Sequence, residues 1–228
     1  MTSAIGGAVI LFVLVDIFHT LANPGVLGWV TRTLLRLTWR ASRRSRLAGP
    51  LAMLAVISLW GVLAVCGWAL VYWPHVQDGF AFTGPVPGDA DGLLDAFYIS
   101  LVSISTLGLG DVYPTEPWLR ILNPLEALFG FALLTVAVSW VLQVFPALTR
   151  RRVLALQLSH LQSVGTVDTL STLDPAVAYG VIDRVAAGLV AVRVDLNDYP
   201  ETYYFRETDL DASLAARVAV AGDLAIQA

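Results

Sequence analysis

Ser105-Thr106-Leu107-Gly108-Leu109-Gly110-Asp111 stands between an apolar run, Leu93 to Ile104, and the tripeptide Val112-Tyr113-Pro114. Two glycines separated by one residue let the backbone alternate between right- and left-handed conformations at little steric cost, so successive carbonyls can all point one way. Such a row can replace the hydration shell of a monovalent cation. The hydroxyl of Thr106 extends the row inward, and Asp111 closes its outer end. The stretch Asp95 to Ser105 makes about three turns of helix at 1.5 Å per residue, too short to cross a bilayer. It is expected as a re-entrant helix whose negative C-terminal dipole faces the place where a cation would wait.

From Phe97 to Pro114 the sequence Phe-Tyr-Ile-Ser-Leu-Val-Ser-Ile-Ser-Thr-Leu-Gly-Leu-Gly-Asp-Val-Tyr-Pro resembles the pore helix and selectivity filter of potassium channels, whose usual pattern is Thr-x-Gly-Tyr/Phe-Gly-Asp. The resemblance covers roughly Leu51 to Phe145 and includes Trp118, Arg120 and Gly130 in the inner helix. Leu109 is the departure within the filter, standing where tyrosine or phenylalanine is usual. The resemblance implies K+ as the permeant ion, bound at Thr106, Leu107, Gly108 and Leu109, with Gly110 completing the filter. Asp111 and Tyr98 are implied as filter supports, Tyr98 bonding Asp111 from behind. Gly130 matches the family's flexible glycine, or packs against the pore helix. Leu134, Val138 and Leu142 share one face at four-residue spacing and are candidates to line the cavity.

Of the 228 residues, 57% are hydrophobic and 14% are charged, outside the range of an ordinary soluble domain. The net charge of -4 conceals an asymmetry, because all fourteen basic residues are arginine and most of those before Asp168 lie in two clusters. The single cysteine, Cys66, rules out an internal disulfide or a cysteine metal site.

Ala4 to Leu21 is apolar apart from Asp16, His19 and Thr20 and just reaches spanning length. No basic n-region or small-residue cleavage site accompanies it, so a retained transmembrane helix is expected over residues 1–22. Asp16 and His19, three apart, face one side. They can form a self-satisfying polar cluster near the headgroups, or a contact that senses or gates.

Residues 23–50 are a basic segment on the arginine-rich side. Pro24-Gly25 breaks the first helix, and Val26 to Leu47 carries six arginines and no acid. Arg32, Arg36 and Arg40 recur every four residues beside Leu34, Leu35, Leu37 and Trp39, as on a helix lying in the lipid interface over residues 26–47. A voltage sensor is rejected, because only one membrane helix precedes these arginines.

The pore module is expected over 51–148: outer helix 51–73, pore helix 93–105, filter 106–111 and inner helix 117–148. Trp68, Tyr72 and Trp73 crowd the far end of the outer helix, like an aromatic belt. The loop that follows has Asp78, Asp89 and Asp91 and no arginine. That contrast puts Arg32 to Arg46 in the cytoplasm, with Arg150-Arg151-Arg152 on the same side, the N-terminus outside and the C-terminus cytoplasmic. Pro117 suits a first helical position, and Asn123-Pro124 should kink or restart the helix, with Asn123 and Glu126 as its cap.

Residues 149–228 read as a helical cytoplasmic region: about Val153 to Gln162, Pro175 to Leu196 with Asp174 as cap, and Asp211 to Ile226, with the aromatic linker Tyr199 to Phe205 before the last. The final apolar helix calls for a partner surface or a continuation of the chain. No phosphate loop or calcium loop is present.

The expected fold is an all-α membrane protein with three transmembrane helices, a re-entrant pore helix and filter, and a tetrameric potassium-channel-like pore. A homotetramer follows because one filter strand offers oxygens on one side only. No cofactor, enzyme chemistry or nucleic-acid partner is indicated. Two alternatives stay open: a non-selective monovalent cation channel, and one module of a potassium transporter.

Overall fold

The computed structural model describes residues 1–21, 23, 25–41, 47–83, 92–207 and 209–227. Pro24, Arg43, Arg44, Arg46, Asp89 and Asp91 lie outside the described residues. Nearly all regular structure is helical: α1 (Thr2–Leu21), α2 (Trp29–Ala41), α3 (Ala48–Tyr72), α4 (Val76–Gly79), α5 (Leu93–Ile104), α6 (Leu119–Ser163), α7 (Thr166–Thr169), α8 (Pro175–Asp198) and α9 (Leu214–Gln227). Two short strands, β1 (Phe80–Phe82) and β2 (Val112–Pro114), pair antiparallel with Phe80 opposite Pro114. By length and composition, four stretches among the described residues can cross a membrane: α1, Ala48–Gly79, α6 and α8.

The chain forms two compact units. The first comprises Met1–Leu21, Gly28–Thr31 and Leu54–Trp140. Small residues bring α1 onto α3: a Cβ on Gly6 would meet the Gly67 carbonyl, and one on Gly67 would lie 2.8 Å from Ile10. Such contacts suit a bilayer, where apolar side chains gain nothing by leaving lipid and close backbone packing drives association. Around Trp68, Tyr72, Phe80, Ile99 and Leu119 a buried cluster joins α3 to α5 and the start of α6. Trp60 of α3 lies tilted on Trp140 of α6, with ring centroids 5.6 Å apart.

Asp16, 3% exposed, is the polar centre of this unit. Its Oδ1 accepts from the Val30 amide at 2.9 Å, and its Oδ2 accepts from the Thr31 hydroxyl at 3.0 Å and the Trp60 indole at 2.9 Å. A carboxylate at the first turn of α2 meets the positive end of that helix's dipole and its orphan amides. His19 is exposed and set edge-on to Phe18, so it does not join Asp16. The two diverge because the carboxylate has three donors on neighbouring segments.

The second unit comprises Ala22–Leu27, Arg32–Met53 and Val141–Ala228. Leu154, Leu158, Leu170, Val181, Val185, Val192, Val220 and Leu224 form its core. Asp174 caps α8 by accepting from the Ala176 amide at 2.9 Å, as its sequence position leads one to expect. Arg150 binds Asp195 through two nitrogens at 2.7 and 2.5 Å. The hydroxyl of Ser159 and the guanidinium of Arg217 hold the Asp211 carboxyl below its usual range.

Two sequence expectations for α6 are corrected. It runs unbroken through Arg150–Arg152 to Ser163 instead of yielding to a separate helix at Val153, because the drop in hydropathy there brings no glycine before Gly165. Nor does it restart at Asn123-Pro124: Leu122 already donates to the Trp118 carbonyl, and the Asn123 and Glu126 side chains bind α5 instead.

Replacing Asp16 by alanine strands three buried donors, each costing about 1 to 3 kcal/mol. Asp16→Ala is therefore expected to lower the melting temperature of the purified protein markedly and Asp16→Asn to lower it less; an unchanged melt for Asp16→Ala would contradict this.

Candidate functional site

The helix α5 ends at Ile104, and its last carbonyls lead directly into the exposed strand 105–110. Thr106 donates its amide to the Ser103 carbonyl at 2.9 Å, and Leu107 donates to Val102 at 3.1 Å. Beyond this, φ is positive at Thr106 (58°), Gly108 (55°) and Gly110 (78°), but not at Leu107 or Leu109. Alternation in the sign of φ turns alternate peptide units over, the geometry that brings successive carbonyls to one side. Thr106 is the non-glycine residue among the described ones with positive φ, a conformation uncommon for a β-branched side chain.

Among the described residues, no hydrogen bond uses the carbonyl of Thr106, Leu107, Gly108, Leu109 or Gly110. Leu107 and Leu109 are 62% and 57% exposed in the single chain. The strand thus presents an unpaired acceptor row, which would be costly if it were buried away from water without another partner.

Asp111 anchors the outer end. Its carbonyl accepts from the Thr83 amide at 2.8 Å and the Thr83 hydroxyl at 2.9 Å, stitching the strand to the residue after β1. Its Oδ2 accepts from the Tyr98 hydroxyl at 2.5 Å. A cleft of about 310 Å³ lies behind the strand, bordered by Tyr98, Val102, Ser103, Leu109, Asn123 and Ala127. Deeper in, Gly130 of α6 approaches the end of α5 so closely that a Cβ there would meet the Ile104 carbonyl. Among the described residues no group of three or more His, Cys, Asp or Glu side chains could hold a metal ion.

Residues 55–146 match a family described as an ion channel. Two-pore potassium channel 5 of Arabidopsis thaliana is 39% identical over 49 residues, covering 22% of this chain and 12% of that one. Residues 55–146 thus carry an ion-channel domain, and a stretch of the chain is similar to part of a potassium channel. A second relative, the uncharacterized membrane protein YdjJ of Bacillus subtilis (strain 168), is 25% identical over 147 residues, 61% of this chain and 42% of that one. The chain thus spans less than half the length of either relative. No solved structure matches it. With its apolar helices, the protein is a multi-pass membrane protein containing an ion-channel domain.

Within the pore module the structure brings together Thr106 to Asp111 and Tyr98, while Leu134, Val138 and Leu142 are exposed along α6. Gly130 stands apart from these as a point of close packing. Three contacts were not foreseen from the sequence. Thr83 holds Asp111; Asn123 Nδ2 donates to Ser103 Oγ at 2.5 Å; and Ser100 Oγ donates to the buried Glu126 at 2.5 Å. Polar residues in an otherwise apolar helix were a signal for the last two, because a bilayer offers them no water.

Gly130→Ala should lower the melting temperature, since overpacking against backbone typically costs about 1 to 3 kcal/mol. Gly61→Ala in α3, where a Cβ meets nothing within 4 Å, should leave it nearly unchanged. Equal melting of the two variants would show that the contact of α6 with α5 is looser than described.

Proposed function

We propose that the protein conducts K+ passively across the membrane, through a pore assembled from four copies around one axis. The observation that carries this reading is the row of unpaired carbonyls from Thr106 to Gly110, with alternating φ and full anchoring only at its ends. One strand supplies one wall of oxygens, and a dehydrated cation needs them on every side. Head-to-tail contacts that close by rotation generate such a ring, which would also cover the exposed Leu107 and Leu109.

K+ would occupy positions along Thr106, Leu107, Gly108 and Leu109, with Leu134, Val138 and Leu142 lining the path beneath. On this reading α1, α3 and the first part of α6 cross the membrane, and α5 enters without crossing. At 1.5 Å per residue the 45 residues of α6 measure about 68 Å, twice the hydrocarbon thickness, so its second half continues into water from Arg150. The helix α8 is the least apolar of the four candidate spans, with hydropathy 1.5 against 2.1 to 2.3, and carries Asp183, Arg184, Arg193 and Asp195. Its packing with α9 and the end of α6 supports a helix outside the bilayer. Three crossings and the arginine distribution then put the N-terminus outside and the C-terminus in the cytoplasm, with α2 lying in the inner lipid interface. Conduction, and not catalysis, is the role.

A second reading, a cation pore that does not separate sodium from potassium, is favoured by one observation. Leu109 lines the cleft behind the filter, where a tyrosine could tether the strand through its hydroxyl. Leucine leaves the coordinating carbonyls unchanged and the strand less stiffly held.

Reconstituted into liposomes with an outward potassium gradient, the protein should accumulate external rubidium. In Gly108→Ala that uptake should vanish while the protein still folds, because a Cβ there meets nothing within 4 Å and its cost, about 1 to 2 kcal/mol, lies in the left-handed backbone alone. Undiminished uptake by Gly108→Ala would place the ion path elsewhere.

A further inference from the structure

We propose that α2 and the turn Pro200–Tyr204 form a binding site for the headgroup of an anionic phospholipid. The inference rests on reading α2 as an interfacial helix and gives that helix a specific lipid chemistry.

Arg32, Arg36, Pro200, Tyr203 and Tyr204, with Leu27, border a pocket of about 290 Å³, and no carboxylate is among its lining residues. Arg32 and Arg36 are one helical turn apart, so their guanidinium groups lie on the same face of α2. Arg32 is steadied by donating Nη2 to the Leu27 carbonyl at 3.2 Å, which leaves its other nitrogens available. With the described residues, neither Arg36 nor Tyr203 makes a hydrogen bond or ion pair. Two cations side by side without an anion repel, and an anion bound between them removes that penalty.

The walls are fixed. Trp39 packs edge-on to Tyr204 with centroids 6.0 Å apart, and the Arg151 guanidinium donates to the carbonyls of Thr202 and Phe205 at 3.0 and 2.8 Å. The second arginine cluster differs, because there Arg150 is matched with Asp195 and Arg152 with Glu207. Among the described residues, Arg32 and Arg36 at the pocket make no ion pair.

Two planar guanidinium groups and a phenol match the oxygens of a phosphate. A lipid phosphate, and not a free one, is favoured by the apolar part of the wall, Leu27 and the Pro200 and Tyr204 rings. On the same helix, Trp29 is 70% exposed and Leu37 is 54% exposed, side chains that find their seat among headgroups and upper acyl chains.

The full chain, purified in detergent, is titrated with phosphatidylglycerol or phosphatidylcholine, and bound lipid is counted by native mass spectrometry. Phosphatidylglycerol should be retained preferentially, and Arg32→Gln/Arg36→Gln should weaken that retention about thirty-fold, two cationic contacts being lost. Tyr203→Glu, an exposed substitution on the other wall that leaves every arginine of α2 in place, should also abolish the preference. Arg40→Gln, on α2 but outside the pocket, should retain it. If Arg40→Gln weakens binding as much as Arg32→Gln/Arg36→Gln and Tyr203→Glu has no effect, the interfacial helix survives and the pocket is overturned. If wild-type protein holds both lipids equally and a nitroxide at Trp29→Cys is not broadened by a lipid-soluble paramagnetic agent, the interfacial reading fails with it. Displacement of the lipid by millimolar inorganic phosphate would assign the pocket to a free anion and overturn the lipid proposal.

Discussion

A cation leaving water must be met by oxygens at every step, and backbone carbonyls that do this must be kept out of every other hydrogen bond. Buried or confined carbonyls left unpaired are costly, so a strand that carries five in succession has to be held open by its surroundings. Here the holding is done at the two ends. At the inner end the carbonyls of Val102 and Ser103 take the amides of Leu107 and Thr106, fixing where helix gives way to strand. At the outer end Asp111 receives Thr83 twice and Tyr98 once, so both its backbone and its side chain are immobilised. Between them the glycines supply the left-handed conformations, and Thr106 adopts one despite its branched side chain.

The helices around the strand serve that same constraint. Through Gly130, α6 presses on the last carbonyl of α5, and through Asn123 it holds Ser103. Trp140 of α6 meets Trp60 of α3, and Trp60 donates to Asp16. A buried carboxylate is tolerable only when its lone pairs are filled, and Asp16 fills them from the first turn of α2 and from α3. One acidic residue thus fixes the first turn of α2 relative to α3 within its own unit.

Much of this is legible in the sequence because the segment from Leu93 to Pro114 obeys local rules. The alternation of Gly108 and Gly110 announces its own dihedral pattern, whereas the positive φ of Thr106 does not follow from its side chain, and Thr2–Leu21 and Leu93–Ile104 form the long and the short apolar helix that their sequences lead one to expect. What escaped were pairings set by packing between distant segments. The spacing of Asp16 and His19 puts both on one side and leaves open whether they pair with each other or with a neighbour, whereas the partners of Asp16 are fourteen, fifteen and forty-four residues on. Asn123 and Glu126 resembled a helix cap in one dimension, yet their side chains serve α5. The end of α6 was misplaced because hydropathy marks where a helix leaves lipid, not where its hydrogen bonding stops.

The central claim, that the carbonyls from Thr106 to Leu109 select K+, is tested most directly by the reversal potential of the unmodified protein in a planar bilayer, with potassium chloride on one side and sodium chloride on the other. The account predicts a potential displaced strongly in the direction of K+ permeation, since backbone oxygens do the coordinating and Leu109 changes only how firmly they are held. A reversal near zero, with the two ions equally permeant, would contradict it.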